Sequence, residues 1–134
     1  PHRLLRRRAL PARGHDVRFA CRPSMVKVVD GLGFAATAIG DDVPDPTSIT
    51  ELVPLDEEHE ERVLRHGFAD TGARRRGRGL VALCGSARPD VVVADEVDYG
   101  AFVAAEVAGV PSASVIVAAA GGFTRPDVIA DALR

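Results

Sequence analysis

Apolar residues recur at Leu4, Leu5, Ala9 and Ala12 with arginines between them, the spacing of a single stripe on a helix over residues 4–13. Pro11 lacks a backbone donor and disfavours helix at Leu10, so the last turn is expected to break or kink. Arg13-Gly14-His15 supplies the stop, with Gly14 just past the helix end. Residues 16–21 alternate polar and apolar before turning apolar, which predicts a strand. Pro23-Ser24 then opens a short helix, with Ser24 as its N-cap. It runs through Met25, Val26, Val28, Val29 and Leu32 to a stop at Gly33. Residues 34–39 read as a second strand, closed by Gly40.

Residues 41–56 carry Pro44, Pro46 and Pro54 and little periodicity, as expected of a loop. A polar helix with sparse apolar residues follows over 57–68. A second helical stretch over 72–87 has Leu80, Val81, Leu83 and Cys84 as its buried side. After Pro89-Asp90, the run Val91-Val92-Val93-Ala94 is typical of a central parallel strand covered on both faces. Residues 99–107 predict a helix with Phe102, Val103 and Val107 along one side and Gly109 as its stop. Residues 112–117 predict another strand, 118–122 its exit loop, and 127–133 a further helix. Helices alternating with strands across short joints predict an α/β class: one Rossmann-like open parallel sheet with helices on both faces. Such sheets usually open on a strand, so an opening helix implies that the first strand is missing and that the chain is truncated, as the abrupt last helix also implies at the other end.

The 134 residues suit one domain. At 46% apolar and 27% charged, the chain can bury a core, and with aromatics at only 4% that core must be built from Ala, Val and Leu. A net charge of −2 argues against a bulk nucleic-acid binder. Basic charge is almost all arginine, Lys27 being the only lysine. Cys21 and Cys84 lie far apart and form no Cys/His cluster, which suits a reducing cytoplasm. No apolar run approaches the roughly 18 residues of a membrane span, and the Arg-rich opening residues, without a continuous apolar h-region or cleavage site, lead us to expect no secretory signal.

Several candidate motifs have simple structural readings. Gly31-x-Gly33-x-x-Ala36 matches a relaxed dinucleotide fingerprint, but it leaves a helix and enters a strand, the reverse of what phosphate binding requires. Arg74-Arg75-Arg76-Gly77-Arg78 lacks interleaved aromatics and reads as a solvated helical face. The acids Asp56, Glu57, Glu58, Glu60 and Glu61 suit a helix start. His59 and His66 lack a third ligand for a metal, no G-x-S-x-G elbow occurs, and Cys84 reads as a packed residue. Asp95 stands apart. It ends the strand at 91–94 on the side of Val91 and Val93, at the carboxyl end where open α/β sheets bind ligands. Glu96 and Asp98 cluster beside it before a helix start, with Asp98 the better N-cap.

Three segments carry a resemblance. They are Ala9-Leu10-x-Ala12-Arg13-Gly14-His15-Asp16-Val17-Arg18-Phe19; Arg88-Pro89-Asp90-Val91-Val92-Val93-Ala94-Asp95; and Gly100-Ala101-x-Val103-Ala104-Ala105-Glu106-x-Ala108-Gly109-Val110-Pro111. In this order, with Leu32-Gly33-Phe34 between the first two, they resemble bacterial natural-product glycosyltransferases of the macrolide and flavonoid type. These are two-domain GT-B enzymes that use nucleotide sugars. The resemblance implies that residues 1–134 are much of an N-terminal, acceptor-binding domain, and that the C-terminal domain gripping the nucleotide sugar is absent. It implies an inverting displacement, in which a His removes the proton of an acceptor hydroxyl as that hydroxyl attacks the anomeric carbon. Asp95 falls at the position of the Asp that orients this His. The His itself belongs to a Gly-His-x-x-Pro segment just before Pro1, so neither His2 nor His15 takes its place. Acceptor contacts are implied at Glu96, Tyr99 and the exit loop with Ala120, Gly121 and Phe123, whose small residues let a bulky apolar ligand approach the backbone. No cofactor or metal is expected, since the nucleotide sugar is a co-substrate; a small hydroxylated aglycone is the other partner. The isolated chain is expected to be inactive. The alternative is a non-catalytic Rossmann-like module that binds a nucleotide or a protein; an arginine-dependent RNA binder is disfavoured by the net acidity.

Overall fold

A computed structural model describes residues 10–42, 54 and 56–116. Contacts divide the chain into two compact units, one ending at Val43 and one beginning at Pro44. The helix expected over 4–13 lies largely outside the described residues. Its end is a 3-10 turn, Pro11–Arg13, closed by Gly14 at φ +84° with its N–H donating to the Pro11 carbonyl.

In the first unit, β1 (Arg18–Cys21) leads through a 3-10 turn, Pro23–Met25, into α1 (Val26–Gly31) and then β2 (Ala35–Ala38). The two strands pair in parallel, from Arg18↔Ala35 to Cys21↔Ala38, so the expected β-α-β winding is present. Phe19 and Phe34 meet edge to face with ring centroids 5.2 Å apart, and Val29 and Ile39 are buried. Gly33 has φ +85°, a backbone only glycine adopts freely, and it turns the chain out of α1 toward β2. The Gly31-x-Gly33 motif is therefore a helix exit. Ser24 does not act as the N-cap. Helical structure already begins at Pro23, and the Ser24 N–H instead donates to Asp42 Oδ1 at 2.8 Å. An acceptor from 18 positions away thus does the capping. Hydrogen bonds from the Ser24 side chain and N–H, aided by Arg22, hold the Asp42 carboxyl below the usual carboxylate range.

In the second unit, α2 (Glu57–Arg62) starts at Asp56, whose carboxylate accepts the His59 N–H at 3.0 Å. Glu57, Glu58 and Glu60 fill its first turn, as dipole complementarity favours. The sequence predicted two helices here, over 57–68 and 72–87. Instead the chain stays helical throughout, with a π-helical stretch, Val63–Gly72, joining α2 to α3 (Ala73–Ala87). Leu80 and Cys84 are buried on α3 as expected, and Gly77 joins them. β3 (Val92–Asp95), α4 (Tyr99–Ala108) and β4 (Ser112–Val115) complete the unit, with β3 and β4 parallel from Val92↔Ser112 to Asp95↔Val115.

Two expectations about packing change. The face of α4 that packs inward is Tyr99, Gly100, Ala101, Ala104 and Ala105, while Val103 and Val107 are exposed. The reason is the closeness of α3 and α4. A Cβ on Gly100 would lie 2.7 Å from the Ala73 carbonyl oxygen and 3.0 Å from the Gly77 nitrogen. Only the small-residue face permits that approach. The run Val91–Val93 is also not covered on both sides among the described residues, since Val93 is 61% exposed. The helix expected over 127–133 lies outside the described residues.

Candidate functional site at the carboxyl end of β3

Alternation along β3 sorts its side chains. Val91, Val93 and Asp95 are exposed on one face, whereas Ala94 and Glu96 turn inward and are buried. Asp95 therefore stands where the sequence placed it, beside Val91 and Val93 at the carboxyl end of the strand. Its Oδ1 accepts the Val97 N–H at 3.1 Å, and its carbonyl accepts the Asp98 N–H at 3.0 Å, which folds residues 95–98 into a tight turn. The preceding ladder pins the turn to β4, because the Glu96 N–H donates to the Val115 carbonyl at 3.2 Å. Among the described residues, the second carboxylate oxygen of Asp95 accepts no hydrogen bond.

Asp98 caps α4, accepting the Ala101 N–H at 3.3 Å, as the sequence indicated. It also receives a fork from Arg76. Nε lies 3.1 Å from both carboxylate oxygens and a terminal nitrogen lies 2.7 Å from Oδ2. The two side chains are 29% and 18% exposed, so the pair is largely withdrawn from solvent. Arg76 thus departs from the solvated arginine face on which Arg74, Arg75 and Arg78 remain exposed. The signal was available: counting back in fours from Cys84 and Leu80 leads to position 76, on the inward stripe.

Glu96 and Tyr99, 9% and 8% exposed, sit beneath this turn rather than on its surface. Tyr99 packs against Ala69 of the π stretch, with Leu64, Ala73 and Val97 around them. Burial, and then the Glu96 carboxylate, push the Tyr99 phenol above its ordinary value, so it is a neutral group at physiological pH. Ala120, Gly121 and Phe123 lie outside the described residues. His15, His59 and His66 are exposed. No group of three or more metal-ligating side chains occurs among the described residues. Nor is any described helix long and apolar enough to cross a membrane. A groove of about 380 Å³, bordered by Val81, Cys84, Arg88, Pro89 and Val110, opens at the other, amino end of the strands. Cys84 is buried, in keeping with a packing role.

The arrangement presents one exposed carboxylate, held at one oxygen and open at the other, on a short hydrogen-bonded turn at a helix start. Such a group can accept the N–H of an imidazole, set its tautomer and stabilise its protonated form.

No protein-family model matches the chain, and no curated protein does. Solved structures do. The spinosyn forosaminyltransferase SpnP is 29% identical with a TM-score of 0.59, over 84% of this chain and 26% of that one. SsfS6, a glycosyltransferase of Streptomyces sp. SF2575, is 21% identical with a TM-score of 0.67, over 92% of this chain and 36% of its own. The glycosyltransferase VinC, solved with dTDP, is 22% identical with a TM-score of 0.59, over 93% of this chain and 38% of that one. The chain therefore spans between a quarter and two-fifths of the length of these structures. Its mixed α/β architecture with parallel strands is similar to part of the fold of bacterial natural-product glycosyltransferases.

Proposed function

We propose that this chain is the acceptor-binding, N-terminal part of a cytoplasmic inverting glycosyltransferase that moves a sugar from a nucleotide donor to a hydroxyl of a small hydrophobic acceptor. The observation that carries this reading is Asp95, an exposed carboxylate with an open oxygen at the carboxyl end of β3. The likeness to glycosyltransferases over most of this chain supports it. In this mechanism an imidazole from outside the chain abstracts the acceptor proton while Asp95 orients it and balances its developing charge. The hydroxyl oxygen forms the new bond to the anomeric carbon as the nucleoside diphosphate leaves with the pair of electrons from the old one. The donor's nucleotide is held by a second domain, and no cofactor or metal takes part.

The test is a binding and transfer experiment on the chain as it stands. A panel of hydroxylated polyketide and flavonoid aglycones is titrated by NMR, with dTDP and UDP alongside, and sugar transfer is followed by mass spectrometry. We expect aglycones to shift resonances of residues 95–99, nucleotides to shift none, and transfer to be undetectable without the second domain. Nucleotide binding with no response to any aglycone would replace this reading with that of a nucleotide-binding module.

A further inference from the structure

We propose that Arg76 is a positioning residue for Asp95, acting through Asp98. This rests on the glycosyl-transfer reading of Asp95. Arg76 is on α3, remote in sequence from the β3–α4 turn, and its guanidinium is committed to the Asp98 carboxylate by contacts of 3.1, 3.1 and 2.7 Å. A planar fork fixes the direction of a carboxylate as well as its charge. Asp98 in turn does two things. Its Oδ1 caps α4 at the Ala101 N–H, and its own N–H donates to the Asp95 carbonyl. The turn is closed by a second bond, from the Val97 N–H to Asp95 Oδ1. Arg76 therefore reaches Asp95 by a continuous path: guanidinium, Asp98 carboxylate, Asp98 backbone, Asp95 carbonyl.

Removing the fork leaves the Asp98 carboxylate withdrawn from water without its cation, and the side chain can restore its hydration only by swinging outward. That swing pulls on the Asp98 backbone and loosens the turn. Asp95 keeps its place on the strand but loses its aim. A change of this size at the orienting group lowers turnover more than acceptor binding, because alignment matters most at the transition state.

The experiment has two readouts. In this chain, amide exchange is measured for wild type, Arg76→Gln, Arg76→Lys and the double variant Arg76→Gln/Asp98→Asn, which removes the stranded charge if the single variant folds poorly. Losing a charge-assisted bond is expected to speed exchange at Val97 and Asp98 about tenfold. Ala104 and Ala105, deep in α4, stay as protected as before. The Lys variant recovers part of the protection. A uniform change along α4, or no change at Val97, overturns the proposal, since a purely structural pair would behave so. In the complete enzyme, kcat of Arg76→Gln is expected to fall about tenfold to a hundredfold with acceptor KM little altered. If Val97 exchange rises, Asp95→Asn abolishes turnover and Arg76→Gln leaves kcat unchanged, the positioning role is wrong. If Asp95→Asn also leaves kcat unchanged, it is the reading of Asp95 that fails.

Discussion

Asp95, Glu96 and Asp98 are chemically alike and lie within four consecutive positions, yet the fold gives each a different task. Asp95 faces solvent and uses one oxygen in the turn. Glu96 is buried beneath it, and Asp98 is spent on capping α4 and holding Arg76. Only the first is free to meet a reacting group. The strand's alternation made this division legible for Asp95, and helix-start chemistry made it legible for Asp98. The burial of Tyr99 was less visible, because it depends on the π stretch supplying Ala69 and Leu64 from about 30 positions away. Tyr99 carries a prediction with a definite sign. Its folded value lies above that of the unfolded chain, so the unfolded state loses its proton first as pH rises. Stability is then expected to decline once pH passes about 10, the ordinary value for tyrosine. Urea melts at pH 8, 10 and 11 check this, with Tyr99→Phe expected to remove part of the decline.

Among the elements, the four strands and the helix at 99–108 are legible from alternation at 16–21, the apolar run at 91–94, glycine stops and an aspartate cap. The contact between α3 and α4 does not, because its surfaces are glycine and alanine. These residues contribute weakly to any hydrophobic stripe, so a search for large apolar side chains selects Phe102, Val103 and Val107 instead. The packing supplies a paired test. Gly100→Ala drives a methyl against the Ala73 carbonyl and the Gly77 nitrogen, at 2.7 and 3.0 Å, and is expected to cost about 1–3 kcal/mol. Gly77→Ala meets nothing nearer than the Gly100 carbonyl at 3.5 Å. There the gain in helix propensity, about 0.5–1 kcal/mol, is expected to leave stability unchanged or raised. Denaturant midpoints of the two variants decide the matter, and equal losses would show that the helices cross elsewhere.

At the scale of the molecule, each compact unit holds one parallel β-α-β winding, and the second unit also holds a continuous helical stretch over residues 57–87. The α/β class was legible because the order of elements admits little else. The unbroken helical stretch was not, since its inward stripe passes from Leu64 to Ala69 in a step of five before settling into steps of four at Ala73 and Gly77. A period of 3.6 does not contain that step, and the two helices expected over 57–68 and 72–87 are separated there. The π stretch also sets where the chain tolerates a change of length. Deleting one residue within Val63–Gly72 would let the wider turn close to α-helical pitch while α3 keeps its facing. The same deletion within α3 would rotate everything on one side of it by about 100° and carry Leu80 or Cys84 off the inward stripe. Single-residue deletions scanned along residues 60–87 are therefore expected to be silent in the π stretch and unfolding in α3. Chains of this fold should differ in length at this stretch and hardly at all along the helix that follows it.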